Sequence, residues 1–330
     1  MNNGQNSYQH KYDFLMNKEI KAKVDIVIVN WNTSNLLEEC INSINESCID
    51  MVESVIVIDN NSSDSSATRI NNNYDMNLNI IFEKQNHGFG KSCNLGAKSS
   101  NADYIIFLNP DARVDKYTIQ ELVAFMEKKD SQNIGICGPQ LFNKENNVEK
   151  TCSRFPSILN QVVELFGLYF FLPKLGRRMR DFSHLKSKEV DQIIGAFFLI
   201  RKPLFDELDG FDERFFLYME EVDLSYRSNK LGYKSYFYHK AKAFHEGGGS
   251  SNNIKATRLF YGTRSRVQYA LKNFNKFSIT LSIFLLIVIE PVCRILFSAL
   301  KLSINQAKET LTAFKMLYIW LFKSIFKINN

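Results

Sequence analysis

Polar side chains follow three of the apolar runs in the first half of the chain, close to the point where each run ends. Asn30 and Asp59 come directly after short β-branched runs, and Asp111 stands shortly after another. Such groups can hydrogen-bond a nucleoside, and a carboxylate can also hold a divalent cation beside a phosphate. Each is a common turn residue as well, so any one of them alone is explained equally well by a turn.

A glycine-containing segment supplies further candidates for ligand contact. It runs from Asn86 through Gly88 and Gly90 to Asn94 and Gly96. Glycine lets backbone N–H groups approach a ligand closely, which suits the phosphates of a nucleotide. The chain lacks the G-x-x-x-x-G-K-[ST] pattern, and no G-x-G-x-x-G follows its first predicted strand. Neither a P-loop protein nor a dinucleotide-dependent oxidoreductase is therefore indicated.

Three acidic residues, Glu220, Glu221 and Asp223, stand at the start of a predicted helix. Crowded carboxylates raise one another's pKa, which suits a general base that removes a hydroxyl proton. The helix dipole also favours negative charge at this end, which is a sufficient structural reason for them. The residues alone leave both explanations open.

His245 is a second candidate metal ligand, in addition to Asp111. It precedes Glu246 and the run Gly247–Gly249, and these glycines would permit a mobile flap over a bound donor. A single histidine is more often structural than functional, and the neighbouring glycine run is the reason for considering this one.

Apolar runs alternate with amphipathic helical patterns in the first half of the chain. This alternation predicts a parallel, doubly wound α/β sheet, in which ligands bind beyond the carboxyl ends of the strands. The predicted strands are Val24–Val29, Ser54–Ile58, Ile80–Phe82 and Tyr104–Leu108, and the predicted helices include Leu36–Ile44 and Ile119–Met126.

The second half is less regular and is expected to form the acceptor side of the same domain. It contains a predicted strand Ile193–Ile200, a helix Glu220–Lys230 and a strand Lys234–Tyr238. An uncharged run, Phe277–Ile289, follows and is too short by itself to span a bilayer. If Glu290 and Arg294 neutralise each other, the wider stretch could enter a membrane, and otherwise a buried or interfacial helix is expected.

The last segment, Leu311–Ile328, has the pattern of a basic interfacial helix. Its apolar positions at helical spacing are Leu311, Phe314, Tyr318, Leu321 and Ile325, and its lysines are Lys315, Lys323 and Lys327. A packing helix with solvated lysines would give the same pattern.

Composition and charge narrow the class of protein. The 330 residues are 45% hydrophobic and carry a formal net charge of +6, which suits an anionic ligand or a membrane surface. The six cysteines include no C-x-x-C pair, as expected of reduced thiols in the cytoplasm. The polar segment 1–19 lacks the apolar core that a secretory signal requires.

Five blocks of sequence carry a resemblance to a known family. They are Val27–Asn32, Val57–Ser62, Asn86–Gly90 with Asn94, Leu108–Ala112, and Gly210–Glu213 continuing to Glu220–Leu224. In this order they resemble family-2 glycosyltransferases of the GT-A fold, in particular the branch that includes bacterial rhamnosyltransferases. The resemblance runs from Val24 to about Arg266. It implies a doubly wound mixed sheet with a Rossmann-like nucleotide-binding half and an acceptor-binding half.

The resemblance also implies roles for individual residues. Asp59 would contact the nucleoside, Asp111 would be the remaining acidic residue of the metal-binding D-x-D motif, and His245 would complete the metal site. Glu221 stands where the family places its catalytic base, with Glu220 and Asp223 beside it. The residues assigned to the donor are Asn30, Asn32, Asp59, Asn86, Gly88, Asn94, Asn109, Asp111 and Arg154, and the implied cofactor is Mg²⁺ or Mn²⁺.

Two positions depart from the family pattern. Asn109 replaces the first Asp of D-x-D, which leaves the metal site one carboxylate short. Glu221 replaces the usual Asp, which lengthens the base by a methylene and leaves open whether Glu220 shares its role. The block Arg154–Pro156 also resembles the rhamnosyltransferase branch.

These observations predict an inverting, metal-dependent transferase that moves rhamnose from dTDP-rhamnose to a lipid-linked or growing surface glycan. A UDP-hexose is the alternative donor, and no nucleic acid partner is expected. A non-catalytic nucleotide-sugar or glycan-binding protein and a membrane scaffold are the rival classes. The enzyme is expected in the cytoplasm, held peripherally at the inner face of the membrane.

The same reasoning predicts a division of the chain into three parts. Residues 1–23 form a polar extension, and 24–268 form the transferase domain, with 24–115 on the donor side and 116–268 on the acceptor side. Residues 269–330 form membrane-associated helices.

Overall fold

The computed structural model of the protein describes residues 21–47, 49–71, 73–247 and 254–326. Most of the predicted polar extension, and the second and third glycines of the predicted flap, lie outside these residues. The strands are β1 (Val24–Asn30), β2 (Val52–Asp59), β3 (Leu78–Phe82), β4 (Tyr104–Leu108), β5 (Ala112–Val114), β6 (Ile134–Phe142), β7 (Cys152–Ser153), β8 (Lys188–Val190), β9 (Gln192–Ile193), β10 (Phe197–Arg201) and β11 (Lys234–His245).

The helices are α1 (Leu36–Asn45), α2 (Phe89–Ala97), α3 (Thr118–Met126), α4 (Ile158–Leu165), α5 (Lys202–Glu207), α6 (Glu220–Lys230), α7 (Lys255–Asn273), α8 (Lys276–Phe284), α9 (Glu290–Leu300) and α10 (Ile304–Ile325). A π-helical turn, Leu285–Ile289, joins α8 to α9 without interruption.

A mixed sheet of nine strands forms the centre of the described structure. Its order is β3-β2-β1-β4-β10-β6-β11-β5, and β8 pairs with β11. The first four strands are parallel, whereas β10 runs antiparallel to both β4 and β6. The predicted mixed α/β sheet is confirmed, with its parallel part built from the four strands that the sequence predicted.

Strand β1 shows why the sequence forms a three-layered structure. All seven of its residues are buried, so both faces of the strand must be covered. Ile26 and Ile28 pack with residues of α1 and α3 on one face. Val27 and Val29 pack with residues of α2 and α6 on the other. Because successive side chains point to opposite faces, the alternation along one strand builds two cores.

The second half departs from the prediction at one strand. The expected strand Ile193–Ile200 is divided, because β9 ends at Ile193 and β10 begins at Phe197. Strand β9 pairs with β7 in a separate small sheet, whereas β10 enters the central sheet. Strand β11 is longer than predicted and reaches His245. Both features bring loop residues to the carboxyl end of β4.

The C-terminal helices pack on α7 and leave much of their apolar surface exposed. Lys276–Leu300 is the one helix in the described chain that is long and apolar enough to cross a membrane, by length and composition alone. In the π-helical turn of this helix, the carbonyl of Ile287 accepts a hydrogen bond from the Tyr318 hydroxyl at 2.9 Å. Glu290 is buried and bonds both Arg294 and Arg266, so the pair predicted at this position forms and gains a second cation.

Helix α10 does not present the single apolar face that the sequence predicted. Phe314 is buried with Leu317 against Phe260 of α7. By contrast, Leu311 and Ile325 are exposed. The predicted face is therefore divided between a packing seam and an outer apolar surface.

The cysteines of the described chain are free thiols, as predicted. Cys40, Cys93, Cys137 and Cys152 are buried, and Cys293 is partly buried.

Candidate active site

The carboxyl ends of the parallel strands form the edge at which the predicted donor residues lie. Asn30 at the end of β1 is opposite Asp59 at the end of β2, and Leu108 at the end of β4 is opposite Ile28. Strand β10 starts at the same edge, since Phe197 pairs with Leu108. The sheet register thus brings together side chains that are far apart in sequence.

Asn30 orients Asp59. Its side chain is fully buried, and its Nδ2 donates to Asp59 Oδ1 at 2.7 Å and to the Ser66 hydroxyl at 2.8 Å. The other carboxylate oxygen of Asp59 accepts a hydrogen bond from the backbone of Ser62 at 3.1 Å. This network holds the carboxylate in one orientation, while Asn30 itself is too deep to meet a ligand.

Asn32 closes the adjacent loop. Its side-chain oxygen accepts hydrogen bonds from the backbone N–H of Ser63 at 2.7 Å and of Asp64 at 3.2 Å. The residue has a positive φ of 51°, which asparagine adopts more readily than most residues. Asn32 therefore fixes residues 63 and 64 of the loop that follows Asp59.

The segment that contains Asn86 and Gly88 is held by Asn60, a residue that the sequence patterns did not assign to the site. The Asn60 Nδ2 donates to Asn86 Oδ1 at 2.9 Å, and its Oδ1 accepts from the His87 backbone at 2.9 Å. A Cβ at Gly88 would lie 2.2 Å from the carbonyl oxygen of Phe216. Glycine is required here because the loop packs directly on another backbone.

Asn94 fixes the segment before α6. Its amide donates to the carbonyl of Phe211 at 2.9 Å and accepts from the Phe211 N–H at 2.8 Å. Both polar ends of the amide are thus used inside the protein. The structure gives Asn94 a positioning role, rather than the direct donor contact expected from the sequence.

Asn109 and Asp111 belong to a tight turn after β4. The Asn109 carbonyl accepts from the Ala112 N–H at 3.0 Å, with Pro110 at the second position that such turns favour. The Asn109 N–H donates to the Ala196 carbonyl, also at 3.0 Å, which ties this turn to the start of β10. The turn places Asp111 beside the end of β11.

Asp111, His245 and Glu149 form a chain of polar contacts. His245 Nε2 lies 3.5 Å from Asp111 Oδ1, and its Nδ1 lies 3.0 Å from Glu149 Oε2. Burial of the imidazole would lower its pKa, but the hydrogen bonds and charges of the two carboxylates outweigh burial and raise the pKa of His245 to about 9. The two predicted metal residues are therefore adjacent, and Glu149 is a third member that the sequence did not reveal.

This group fits a divalent cation that is shared with a ligand. Within the described residues no set of three or more His, Cys, Asp or Glu side chains forms a preformed cation cage. Asp111 and His245 supply one oxygen and one nitrogen donor, while Glu149 on the far ring nitrogen can hold the imidazole in the ligating tautomer. Diphosphate oxygens and water would have to supply the remaining ligands, as is common for Mg²⁺.

Glu220 and Glu221 begin α6 but have different surroundings. Glu220 is buried, and within the described chain its Oε2 has no hydrogen-bond partner. Burial, and then the charge of Glu221, raise its pKa well above the usual value. Burial also raises the pKa of Glu221, although its backbone, Arg177 and a hydrogen bond from Gln192 oppose that rise.

Gly195 brings Glu221 close to the end of β4. A Cβ at Gly195 would lie 3.8 Å from the Glu221 Cβ, and the next residue, Ala196, is bonded to Asn109. The division between β9 and β10 thus makes room for Glu221 at the edge where Asp111 lies.

Asp223 does not have the surroundings of a catalytic residue. Its side chain is completely buried, and Oδ2 bonds Arg227 at 2.7 Å and Lys272 at 2.8 Å. Its other oxygen accepts from Asn273 at 3.3 Å. The carboxylate joins α6 to α7, and we correct the expected catalytic role to a structural one.

Arg154 is likewise occupied within the protein. Its Nη2 bonds both carboxylate oxygens of Asp181, at 2.9 and 2.8 Å, and its Nη1 donates to the Gly176 carbonyl at 3.0 Å. Its backbone N–H donates to the Arg177 carbonyl at 2.7 Å. In place of the donor contact expected from the sequence, Arg154 braces the segment that carries Arg177.

The mixed, curled α/β sheet defines a GT-A-like fold. The chain belongs to glycosyl transferase family 2, whose family model matches residues 25–209. It is accordingly a glycosyltransferase, as the sequence predicted.

Curated relatives and a solved structure agree with this assignment. N-acetylglucosaminyl-diphospho-decaprenol L-rhamnosyltransferase of Mycobacterium tuberculosis is 25% identical over 224 residues, which cover 62% of this chain and 70% of that protein. Low-salt glycan biosynthesis hexosyltransferase Agl10 of Haloferax volcanii is 28% identical over 211 residues, which cover 63% and 62%. Mannosyltransferase PcManGT of Pyrobaculum calidifontis, solved with GDP-Man and Mn²⁺, shares the fold at a TM-score of 0.55 and 13% identity, covering 98% and 94%.

Proposed function

We propose that the protein transfers a sugar from a nucleoside diphosphate to an acceptor hydroxyl, with inversion at the anomeric carbon. The observation that carries this proposal is the shared edge of the sheet. Asp59, the Asp111–His245 pair and Glu221 all lie at or beside the carboxyl ends of β1, β2 and β4. A donor that spans this edge would have its nucleoside, its diphosphate and its sugar next to different protein groups.

The donor we propose is dTDP-rhamnose, with a UDP-hexose as the alternative. The rhamnosyltransferase name of the mycobacterial relative supports the first, and the hexosyltransferase name of the archaeal relative supports the second. Asp59 would accept hydrogen bonds from the nucleoside, because Asn30 and Ser62 hold its carboxylate in a fixed orientation.

In the proposed reaction Glu221 removes the proton of the acceptor hydroxyl as the oxygen attacks the anomeric carbon. The bond from that carbon to the diphosphate oxygen breaks on the opposite side, and the nucleoside diphosphate leaves with the electron pair. A carboxylate with a raised pKa is suited to accept a proton near neutral pH. No covalent glycosyl-enzyme forms in a single displacement.

Asp111 and His245 are proposed to hold Mg²⁺ or Mn²⁺ against the donor diphosphate. When bound, such a cation would stabilise negative charge on the departing oxygens. Glu149 would orient His245 from the opposite ring nitrogen.

The acceptor is proposed to be a lipid-linked glycan reached from the cytoplasmic face of the membrane. The outer surfaces of α8 and α9 support this location, because Phe277, Phe284, Val288, Val292 and Leu296 form an exposed apolar stripe. Such a stripe is suited to lie in the headgroup region of a bilayer.

A sugar-nucleotide panel with two matched variants tests this function. Nucleoside diphosphate release is measured for dTDP-rhamnose and UDP-hexoses, with Mn²⁺, and with and without membrane extract. We expect Glu221→Gln to retain donor affinity but to lose on the order of 10²-fold or more in turnover. Glu220→Gln makes the same isosteric change at the adjacent buried residue and should retain most of the turnover. Near-normal turnover of Glu221→Gln would remove Glu221 from the role of base, and no release from any donor would refute transferase activity.

A further inference from the structure

A large cavity lies between the edge of the transferase domain and the C-terminal helices. Its volume is about 1060 Å³, and it extends from Met219, which immediately precedes α6, to Lys301 at the end of α9. Helix α4 and the segment 166–170 form one wall, whereas α7, α8 and α9 form the other. The lining therefore includes a residue two positions before the proposed base as well as residues of the exposed apolar helices.

The lining is rich in positive charge. Six Lys or Arg residues line the cavity, against three Glu residues. Glu290 is already bonded to two of the cations, Arg266 at 2.9 Å and Arg294 at 2.8 Å. The remaining lining cations are Arg177, Arg178, Lys255 and Lys301. An anionic group would offset this excess positive charge.

Arg177 connects the cavity to the active site. The Arg177 carbonyl accepts a hydrogen bond from the Arg154 N–H, and the residue after Arg154, Phe155, packs with Met219 and Val222 on either side of Glu220 and Glu221. In agreement with this placement, burial lowers the pKa of Arg177 and the charge of Glu221 opposes that shift. Arg154 fixes this segment through its bonds to Gly176 and Asp181 and through its backbone bond to Arg177. A partly buried guanidinium on a segment held in this way is suited to bind phosphate oxygens.

The same cavity has apolar walls. Phe166 and Phe170 line one side, and Leu285, Leu286 and Phe297 line the other. Three of these, Phe166, Phe170 and Phe297, are also largely exposed, at 48%, 72% and 47% of their surface. The cavity thus combines a cationic interior near Glu221 with an apolar boundary that continues onto the outside of the protein.

We propose that this cavity binds the phosphate-bearing head of a polyprenyl-type lipid, with Arg177 on the phosphate and the apolar tail passing between Phe170 and Phe297. The inference rests on the proposed transferase function and names the site that would hold its lipid-linked acceptor. A sugar attached to that phosphate would extend towards Glu221. Arg177 is thus a binding residue for the acceptor, separate from the donor groups at the ends of β1 and β2.

Binding to nanodiscs tests the proposal without any transfer reaction. The full chain is applied to phosphatidylcholine nanodiscs that contain either no additive, decaprenyl phosphate or phosphatidic acid. We expect decaprenyl phosphate to increase affinity at least tenfold over plain discs, and phosphatidic acid to do so much less. Arg177→Gln should lose most of that gain, whereas Lys174→Gln, an exposed neighbour outside the cavity lining, should retain it.

Further measurements separate a lost contact from a lost fold or a failed function. Arg177→Lys should retain part of the gain, and it replaces Arg177→Gln as the test variant if the latter does not fold, with a partial loss of affinity expected and an unchanged affinity overturning the proposal. Binding of dTDP and UDP should be unchanged in each folded variant. Equal affinity of Arg177→Gln and the unaltered chain for decaprenyl phosphate discs would overturn the proposal, as would equal gains from phosphatidic acid. Because no donor is present, a lipid result stands whether or not sugar transfer is detected.

Discussion

His245 contacts both Asp111 and Glu149, and these contacts bear on the carboxylate that the metal motif lacks at position 109. Asn109 stands where the family has a first aspartate, so the turn itself supplies one carboxylate. Glu149 adds a second negative charge on the far side of the imidazole, at 3.0 Å from Nδ1. Negative charge there raises the basicity of the ligating nitrogen. The proposed metal site would therefore have two carboxylates, with Asp111 as a direct ligand and Glu149 acting through His245.

Replacing Asp111 with Asn should weaken cation binding in the presence of the donor nucleotide. The substitution retains the shape of the side chain but removes the only carboxylate that we place in direct contact with the metal. We expect the affinity for Mn²⁺ with dTDP or UDP present to fall at least tenfold, measured by water-proton relaxation. Asp115→Asn is the matched control, because Asp115 is an exposed aspartate shortly after the same turn. Equal affinity of the two variants would contradict a metal role for Asp111.

The sequence predicted residues whose role depends on their place at a strand end, and it missed those defined by long-range contacts. Asp59, Asp111 and Glu221 lie near one edge of the sheet. They could be predicted because the strand and helix boundaries that place them were readable from the local sequence pattern. Glu149 meets His245 across 96 positions of sequence, and nothing local marks it. Asp223 has the same local pattern as Glu221, and only the positions of Arg227 and Lys272 reveal its structural role.

At the scale of elements, the proposed donor loop, residues 86–90, contacts the segment before α6, residues 211–216. The Phe89 N–H donates to the Phe216 carbonyl at 2.8 Å, while Asn94 bonds the Phe211 backbone in both directions. These contacts join α2, which begins at the donor loop, to the segment that leads to Glu221. If the donor binds as proposed, these contacts would connect its binding mechanically to the position of the proposed base.

Gly88→Ala should destabilise this connection more than an equivalent change elsewhere. Gly88 has a φ of 82° and a ψ of 175°, a region almost restricted to glycine, and strain there costs about 1–3 kcal/mol. A Cβ would in addition lie 2.2 Å from the Phe216 carbonyl oxygen. Gly232→Ala is the control, since Gly232 has a φ of 92° but nothing within 4 Å of its Cβ.

We expect the free energy of unfolding of Gly88→Ala, from urea titration, to be at least about 1 kcal/mol below that of Gly232→Ala, because only the first adds a collision to the strain. A weakened affinity for dTDP or UDP should accompany the loss. Similar stability losses for the two variants would show that the backbone contact at Phe216 contributes little.

Element boundaries in the parallel half followed from the sequence because β1 and β4 are buried along their whole length and β2 along most of its length. In the second half, the strand boundaries within Ile193–Ile200 could not be predicted in this way. One continuous apolar run there contains the end of a strand of the small sheet and the start of a strand of the central sheet. The break lies at Gly195 and Ala196, where one residue packs on Glu221 and the other bonds Asn109. Tertiary contacts, and not propensity, decide where that strand ends.

At the scale of the whole molecule, exposed apolar residues are concentrated in the C-terminal helices and in the loop after α4. The loop carries Phe170 and Phe171, which are 72% and 84% exposed, with basic residues such as Lys174 close by in the sequence. Segment 166–170 of this loop and helices α8 and α9 line the same cavity, so the two apolar regions flank a common opening. Concentrated exposed apolar residues of this kind mark an interaction surface rather than random exposure.

A double variant on the outer stripe, Phe284→Ser with Val292→Ser, should weaken membrane binding without unfolding the protein. These side chains are 49% and 54% exposed, so their removal leaves little cavity. Burying the exposed half of each in a bilayer is worth about 1 kcal/mol, so the pair should lower the partition free energy by about 2 kcal/mol, or about 30-fold. Flotation with liposomes of bacterial lipid composition measures the partition coefficient directly.

The matched control for that variant is Phe82→Ser with Leu231→Ser. These residues are similarly exposed, at 54% and 48%, but lie at the end of β3 and just after α6, outside the C-terminal surface. If apolar exposure in general drove binding, both double variants would float equally poorly, and the case for a defined membrane face would fail. If the C-terminal surface is the docking face, only Phe284→Ser with Val292→Ser should lose partitioning. Its activity on a short water-soluble acceptor should then persist, because the substituted side chains are exposed and are not part of the cavity lining.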